Sequence, residues 1–174
     1  MADVLLANGF GNRNVMVAID EGDHSHYALM WALDNLKESV ERSTLLIFMA
    51  HPPPRPVSTF QASLGSARVY CSVSPIPDLV KSVEANNKKL TSAYLDRAKE
   101  ICANRGVTAE TIADVGDPKV AICDAVLKYN VSLLIMGERG IGKIKRALIW
   151  SVSSYCVQYA KCPVLVVRKP EDSE

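Results

Sequence analysis

Cysteine is too sparse and too scattered in this chain to build a metal or disulfide framework. Cys71, Cys102, Cys123, Cys156 and Cys162 form no CxxC pair, and no Cys/His group has zinc-finger spacing. Three of them sit in apolar helical patterns, where buried free thiols are common. A reducing compartment, cytoplasmic or nuclear, is therefore expected. An excess of one charge is lacking too: 20 Lys and Arg face 19 Asp and Glu, for a net charge of +1. That balance excludes a broad nucleic-acid surface and a basic membrane-binding face. No apolar run approaches the roughly 20 residues a membrane span needs. The first residues, MADVLLANGFGNRN, lack a basic segment followed by a long apolar core, so no secretory signal is expected. Catalytic pairs are missing as well. His24, His26 and His51 have no nucleophile at recognisable spacing, and positions two apart, such as 24 and 26, do not share a helix face. No catalytic residue and no metal ligand is assigned.

What is present fits an ordinary globular domain. At 174 residues, with 48% hydrophobic and 22% charged residues, the chain fits one domain. A chain of this size can bury about 70% of the surface its unfolded form exposes. Residues 1–13 read as a flexible tail and 169–174 as another, leaving 14–168 as the domain. Asn14 to Asp20 (NVMVAID) is a first strand, and Asp23 or Ser25 can cap the helix after it. Ala28, Leu29, Trp31, Ala32, Leu33 and Leu36 recur at helical spacing. Thr44 to His51 is a second apolar strand, so a right-handed β-α-β crossover is implied.

Residues 52–76 break the rhythm: Pro52, Pro53, Pro54 and Pro56 forbid helix and central strand, and the remainder is Ser-rich. A mobile loop is expected there, serving as a lid or as slack. A long helix is predicted from Pro77 to Asn104, with Val80, Val83, Asn87, Leu90, Tyr94, Ala98 and Ile101 as its stripe and Gly106 as its stop. Val107 to Val115 alternates, which places it nearer a sheet edge. Asp117 and Pro118 are read as N-cap and first turn of a helix carrying Val120, Ala121, Ile122, Ala125, Val126 and Leu127.

The stretch that organises the whole runs from Val131 to Arg168: a buried strand, a glycine-rich loop, a helix through Tyr159 and a last strand, Val164 to Val167. Five strands and four helices alternate, which predicts an α/β, doubly wound domain with a five-stranded parallel sheet and helices on both faces. Ligands in such sheets bind beyond the carboxyl ends of strands at the switch in strand order, here near Asp20 and Gly137. Gly137, Gly140 and Gly142 allow positive φ or close approach to a ligand, and a helix N-terminus after them favours an anion. Two familiar phosphate motifs fail. GERGIGK matches the first seven positions of a Walker A loop, but Ile144 stands where a hydroxyl must meet Mg²⁺, and a dinucleotide G-x-G-x-x-G fails at Lys145.

A third pattern fits. VMVAID, GDPKVAICDAV and the ending SVSSYCVQYAKCPVLVV resemble the universal stress protein family in its small plant single-domain form, over about residues 14 to 168. ATP-binding members of that family carry G-2x-G-9x-G-(S/T), and Gly137, Gly140, Trp150 and Ser151 occupy that spacing here. The resemblance implies a Rossmann-like, adenine nucleotide alpha hydrolase-like fold and an ATP or AMP ligand, with or without Mg²⁺. It implies that Ala18, Ile19 and Asp20 line base and ribose, and that Met49 and Met136 flank the base. Gly137, Arg139, Gly140, Ser151, Val152 and Ser153 would then lie at the phosphates. It further implies a homodimer through the last strand, residues 164–168, with no role for nucleic acid or membrane, and ATP hydrolysis that is slow at most.

Two positions depart from the family's pattern. Trp150 replaces the third glycine, and an indole there fills volume the phosphates would use. Glu138 replaces a small hydroxyl residue, putting a carboxylate beside the cradle or inside it. Weakened nucleotide binding is the expectation, and a nucleotide-independent dimeric interaction module in stress signalling is the alternative.

Overall fold

Long apolar strands lie at the centre of the sheet, with the alternating strand at one edge and the short apolar strand Val164–Val167 at the other. The computed structural model describes residues 14–41, 43–51, 53, 60–64, 67–71, 77–138 and 152–170. Along the chain these form β1 (Asn14–Ala18), α1 (Asp23–Asn35), α2 (Lys37–Glu41), β2 (Thr44–His51), β3 (Phe60–Leu64), β4 (Ala67–Cys71) and α3 (Pro77–Asn104). Then follow β5 (Ala109–Val115), α4 (Pro118–Lys128), β6 (Val131–Gly137), α5 (Val152–Tyr159) and β7 (Val164–Val167).

The main sheet has the order β5-β2-β1-β6-β7, and all its pairings are parallel. It is the doubly wound parallel arrangement that the alternation predicts, and the Rossmann-like fold that the resemblance implies. β1 and β2 are buried on both faces, whereas β5 pairs only with β2 among the described strands and exposes Val115. Two apolar layers sandwich the sheet. One joins Val15, Val17, Ile47 and Ile135 to α1 and α3. The other joins Met16, Phe48, Leu134 and Met136 to α4 and α5. Both layers contain side chains with no exposed surface, so shortening one such residue to alanine removes about 2–5 kcal/mol.

Several sequence expectations change in detail. Within 52–76 the chain forms an antiparallel hairpin, β3 with β4, in register from Phe60 opposite Cys71 to Leu64 opposite Ala67. Its residues alternate enough to pair even though the segment is serine-rich. A short helix, α2, also interrupts the simple count. On α3 the buried stripe is Thr91, Leu95, Ala98 and Cys102, while Val83, Leu90 and Tyr94 are exposed. Among the residues whose burial is described, this 28-residue helix is buried only from Thr91 onward, against β2 and β5, and there the buried stripe runs 91-95-98-102, which leaves Leu90 and Tyr94 on its flank. On α4, Val120 and Leu127 likewise face solvent.

The helix ends follow local chemistry. Gly106 adopts φ +75°, and the amides of Gly106 and Val107 donate to the carbonyls of Ala103 and Cys102, which closes α3 with a Schellman turn. Asp117 caps α4 by accepting from the Lys119 amide at 3.2 Å, with Pro118 in the first turn.

Candidate functional site

The strand order reverses where β1 and β6 lie side by side, the place where doubly wound sheets generally take ligands. The chain leaving β1 enters α1 on one face of the sheet, and α5, which follows β6, lies on the other. Strand ends that diverge in this way leave a cleft at the carboxyl edge.

The β1 side of the cleft is a tightly tied turn. Asp20 Oδ1 accepts the Gly22 amide at 2.8 Å, and the Asp20 amide donates to Ser25 Oγ at 3.0 Å. The Ser25 hydroxyl in turn lies within donating distance of the carbonyls of Gly22 (2.9 Å) and Asp20 (3.1 Å). Neither Asp23 nor Ser25 is the cap: Gly22 holds that position without a side-chain bond, Asp23 begins the helix, and Ser25 is buried inside its first turn. The Ser25 hydroxyl is instead spent on locking the turn that presents Asp20. A cavity of about 220 Å³ borders this turn, lined by Ile19, Asp20, Ser25, Tyr94 and Arg97 among others.

The β6 side is set by steric contact. A Cβ on Gly137 would stand 2.4 Å from the His24 carbonyl oxygen and 2.9 Å from the Ser25 nitrogen. Its φ is not positive, so glycine is needed here for space alone. The close approach is to the backbone of α1, which lets the two rims of the crevice touch.

Glu138 is held on both its backbone and its side chain. Its amide donates to the Val167 carbonyl at 2.8 Å, and its carboxylate takes both Arg168 Nε (2.5 Å) and Nη2 (3.1 Å). This fork of hydrogen bonds from Arg168, with added attraction from Arg168 and His24, holds the carboxyl below its usual pKa. Beside it, His24 Nδ1 is buried and has no hydrogen-bond partner among the described residues. A buried ring nitrogen in that condition is unusual, because such atoms normally find a partner.

The remaining sequence candidates fall into three groups. Ala18, Ile19, Asp20 and Gly137 converge on the crevice: Ala18 stands in register between Phe48 and Met136, and the Ile19 amide donates to the Phe48 carbonyl at 2.8 Å. Met49 and Met136 are both buried, but register places them on opposite faces, Met49 in the α1/α3 layer and Met136 in the α4/α5 layer. Both side chains are packed in the core. Val152 and Ser153 open α5, with Ser153 buried. Arg139, Gly140, Trp150 and Ser151 lie outside the described residues.

Sequence reasoning missed two partnerships. The Glu138–Arg168 pair joins residues 30 apart in sequence, and no spacing rule reveals it. His51, at the carboxyl end of β2, has its Nδ1 3.3 Å from the hydroxyl of buried Thr91 on α3, again without a sequence signal. Among the described residues no group of His, Cys, Asp or Glu is arranged to hold a metal ion, and no helix is long and apolar enough to cross a membrane.

Comparisons with known proteins agree with this architecture. A sequence profile of the universal stress protein family matches residues 11–168. Universal stress protein YxiE of Bacillus subtilis is 34% identical over 154 residues, spanning 88% of this chain and 97% of that protein. Universal stress protein A-like protein of Arabidopsis thaliana is 31% identical over 104 residues, 60% of this chain, and the match spans 57% of that relative's length. A solved universal stress family protein of Arabidopsis thaliana with AMP bound superposes with a TM-score of 0.63 at 23% identity, covering 92% of this chain and 94% of that one. A universal stress protein in complex with cAMP superposes with a TM-score of 0.62 at 22% identity, covering 92% of this chain and 100% of that one. From the profile match across the whole domain and the shared fold, this chain belongs to the universal stress protein family.

Proposed function

We propose that this chain is a stress-response protein that binds an adenine nucleotide, ATP or AMP, at the crevice between β1 and β6. The observation that carries the reading is the Asp20 turn. A carboxylate that accepts the Gly22 amide, on a backbone tied down by buried Ser25, stands at the end of β1 by the switch point of the sheet. A preorganised acceptor of this kind suits a ribose hydroxyl, because the cost of ordering the side chain has already been met in folding. Ala18 and Ile19 would border the base, and Arg139, Gly140, Ser151, Val152 and Ser153 would receive the phosphates. Family members solved with AMP and with cAMP bound support an adenine nucleotide as the ligand class.

Trp150 and Glu138 weaken this binding in our reading, the first by volume and the second by charge. Calorimetric titration of ATP and AMP, with and without Mg²⁺, tests it on the parent chain and on Trp150→Gly. Saturable binding to either supports the nucleotide site, and tighter binding to the variant supports obstruction by the indole. No binding to either chain sinks the reading.

A second reading rests on a separate observation. β7 pairs with β6 alone among the described strands, and Val164, Leu165 and Val166 are only half buried. An apolar edge of this kind invites pairing with another strand. Homodimerisation through residues 164–168, serving partner binding without a nucleotide, would use that edge. Light scattering of the parent and of Val166→Lys tests it: a dimer that the substitution splits supports the reading, and a parent monomer at high micromolar concentration ends it.

A further inference from the structure

We infer that Tyr94 of α3 stacks on the base of the bound nucleotide, so that the cavity between the Asp20 turn and α3 takes the base end of the ligand. The inference rests on the nucleotide-site reading above and adds a ligand contact from α3, a helix that carries none of the residues the resemblance assigns. Three observations lead to it. The cavity of about 220 Å³ beside the Asp20 turn has Tyr94 and Arg97 of α3 in its lining, together with Ile19 and Asp20. Its floor is apolar: Leu29 and Ala98 are buried, and Ile19 and Ile101 pack against the same core layer. Tyr94 keeps 37% of its surface exposed, so the core does not consume its ring.

The position of Tyr94 along α3 agrees with this role. The Thr91 hydroxyl lies 3.3 Å from Nδ1 of His51, the last residue of β2, so Thr91 marks the carboxyl edge of the sheet. Tyr94 follows three residues later, about 4.5 Å along the helix. Because α3 runs back toward the start of β5, antiparallel to the strands, that step brings Tyr94 level with the end of β1, where the Ile19 amide meets the Phe48 carbonyl. A nucleobase is a flat ring that stacks on an aromatic side chain whichever base it is, and binding pockets for such groups are mostly apolar with a few polar atoms. Phosphates suit this cavity poorly. Glu21 and Asp23 share its lining with Arg97 and His26, so an anion meets no excess of positive charge there. Base stacking strengthens binding by about five- to hundredfold, and a ring left partly open to water belongs at the lower end of that range.

The test is calorimetric titration of adenosine and ATP against the parent chain, Tyr94→Ala, Tyr94→Leu, Tyr94→Phe and Arg97→Gln, with thermal melts to establish that each is folded. Tyr94→Ala should weaken adenosine and ATP by the same factor, about five- to tenfold, because the contact is to the part the two ligands share. Tyr94→Phe keeps the stacking face and should hold both affinities within twofold of the parent. Tyr94→Leu keeps apolar bulk without a ring and should behave like Tyr94→Ala. Arg97→Gln should leave the ratio of ATP to adenosine affinity within twofold of the parent's. Unchanged adenosine affinity in Tyr94→Ala, or a loss that leucine restores as fully as phenylalanine does, would overturn the inference. So would an Arg97→Gln variant that loses ATP several-fold more than adenosine, since phosphates would then occupy the cavity. Each of these results leaves an adenine nucleotide bound and the nucleotide-site reading standing. Absence of binding of either ligand to any of the folded proteins would overturn that reading, and the stacking contact with it.

Discussion

Replacing Gly137 by alanine should be among the most damaging single-methyl additions this chain can suffer. The new Cβ would stand 2.4 Å from the His24 carbonyl oxygen, 2.5 Å from the carbonyl carbon and 2.9 Å from the Ser25 nitrogen. All three are backbone atoms in the first turn of α1, so no side chain can rotate aside. Relief requires the start of α1 to move away from β6 by about an ångström. That movement disturbs the hydrogen bonds of Ser25 to Asp20 and Gly22 and opens the layer in which α1 packs on β6. Overpacking of a rigid interior costs about 1–3 kcal/mol, and backbone contact places this case at the upper end. For a domain of this size, where 1 kcal/mol shifts the melting temperature by about 2–4 °C, a loss of about 3 kcal/mol lowers it by about 6–12 °C. Thermal unfolding followed by far-UV circular dichroism measures that shift, and AMP titration of the folded variant reports on the crevice. Melting within about 2 °C of the parent, with equal AMP affinity, would show that α1 does not rest on Gly137 and would refute the argument.

Three further outcomes follow from the same structure. Gly106→Ala meets no neighbour within 4 Å but forces an alanine to φ +75°, so urea unfolding should show a loss of about 1–2 kcal/mol from backbone strain alone. Asp117→Ala removes the acceptor of the Lys119 amide and should cost about 1 kcal/mol, while Asp117→Asn should recover most of it. Burial raises the Cys102 thiol to about 11 and the Cys156 thiol to about 12. Because the folded pKa values exceed the unfolded value near 9, the folded state binds more protons above that pH. The stability these thiols contribute is complete below about pH 9 and is lost as pH rises towards 11–12, at up to about 1.4 kcal/mol per pH unit per thiol. Urea midpoints at pH 8, 9.5 and 10.5 should therefore fall progressively, and the fall should be smaller in Cys156→Ala, compared with that variant's own value at pH 8.

Much of this protein could be read from its residues in order, because the relevant physics is local. Continuous apolar runs at Val15–Ala18 and Leu45–Met49 belong to strands covered on both faces, and the alternation after Val107 belongs to an edge. Gly106, Asp117 and Pro118 mark helix ends through conformational preferences that act within a few residues. Asp20 and Gly137 could be placed at the crevice because strand ends and the α/β alternation together locate the switch point. The buried stripe of α3 was misjudged because helical spacing gives the period of a stripe but not which part of a long helix has a sheet to pack against. The hairpin at 60–71 was missed because strand pairing in a serine-rich segment depends on a partner strand.

What only the tertiary structure decided are relations between distant segments. Register set Ala18 between Phe48 and Met136, and so sent Met49 and Met136 into opposite layers. Packing gave Gly137 its reason, which is the backbone of α1 rather than a positive φ. Sheet order brought Arg168 onto Glu138 across 30 residues and turned an isolated carboxylate into half of an ion pair. The sequence alone determined the five strands of the main sheet and the helix ends at Gly106, Asp117 and Pro118, since those follow from preferences within a few residues. The chemistry presented at the carboxyl end of the sheet depended on which segments meet in space, and contact of that kind is settled only when the whole sheet has formed.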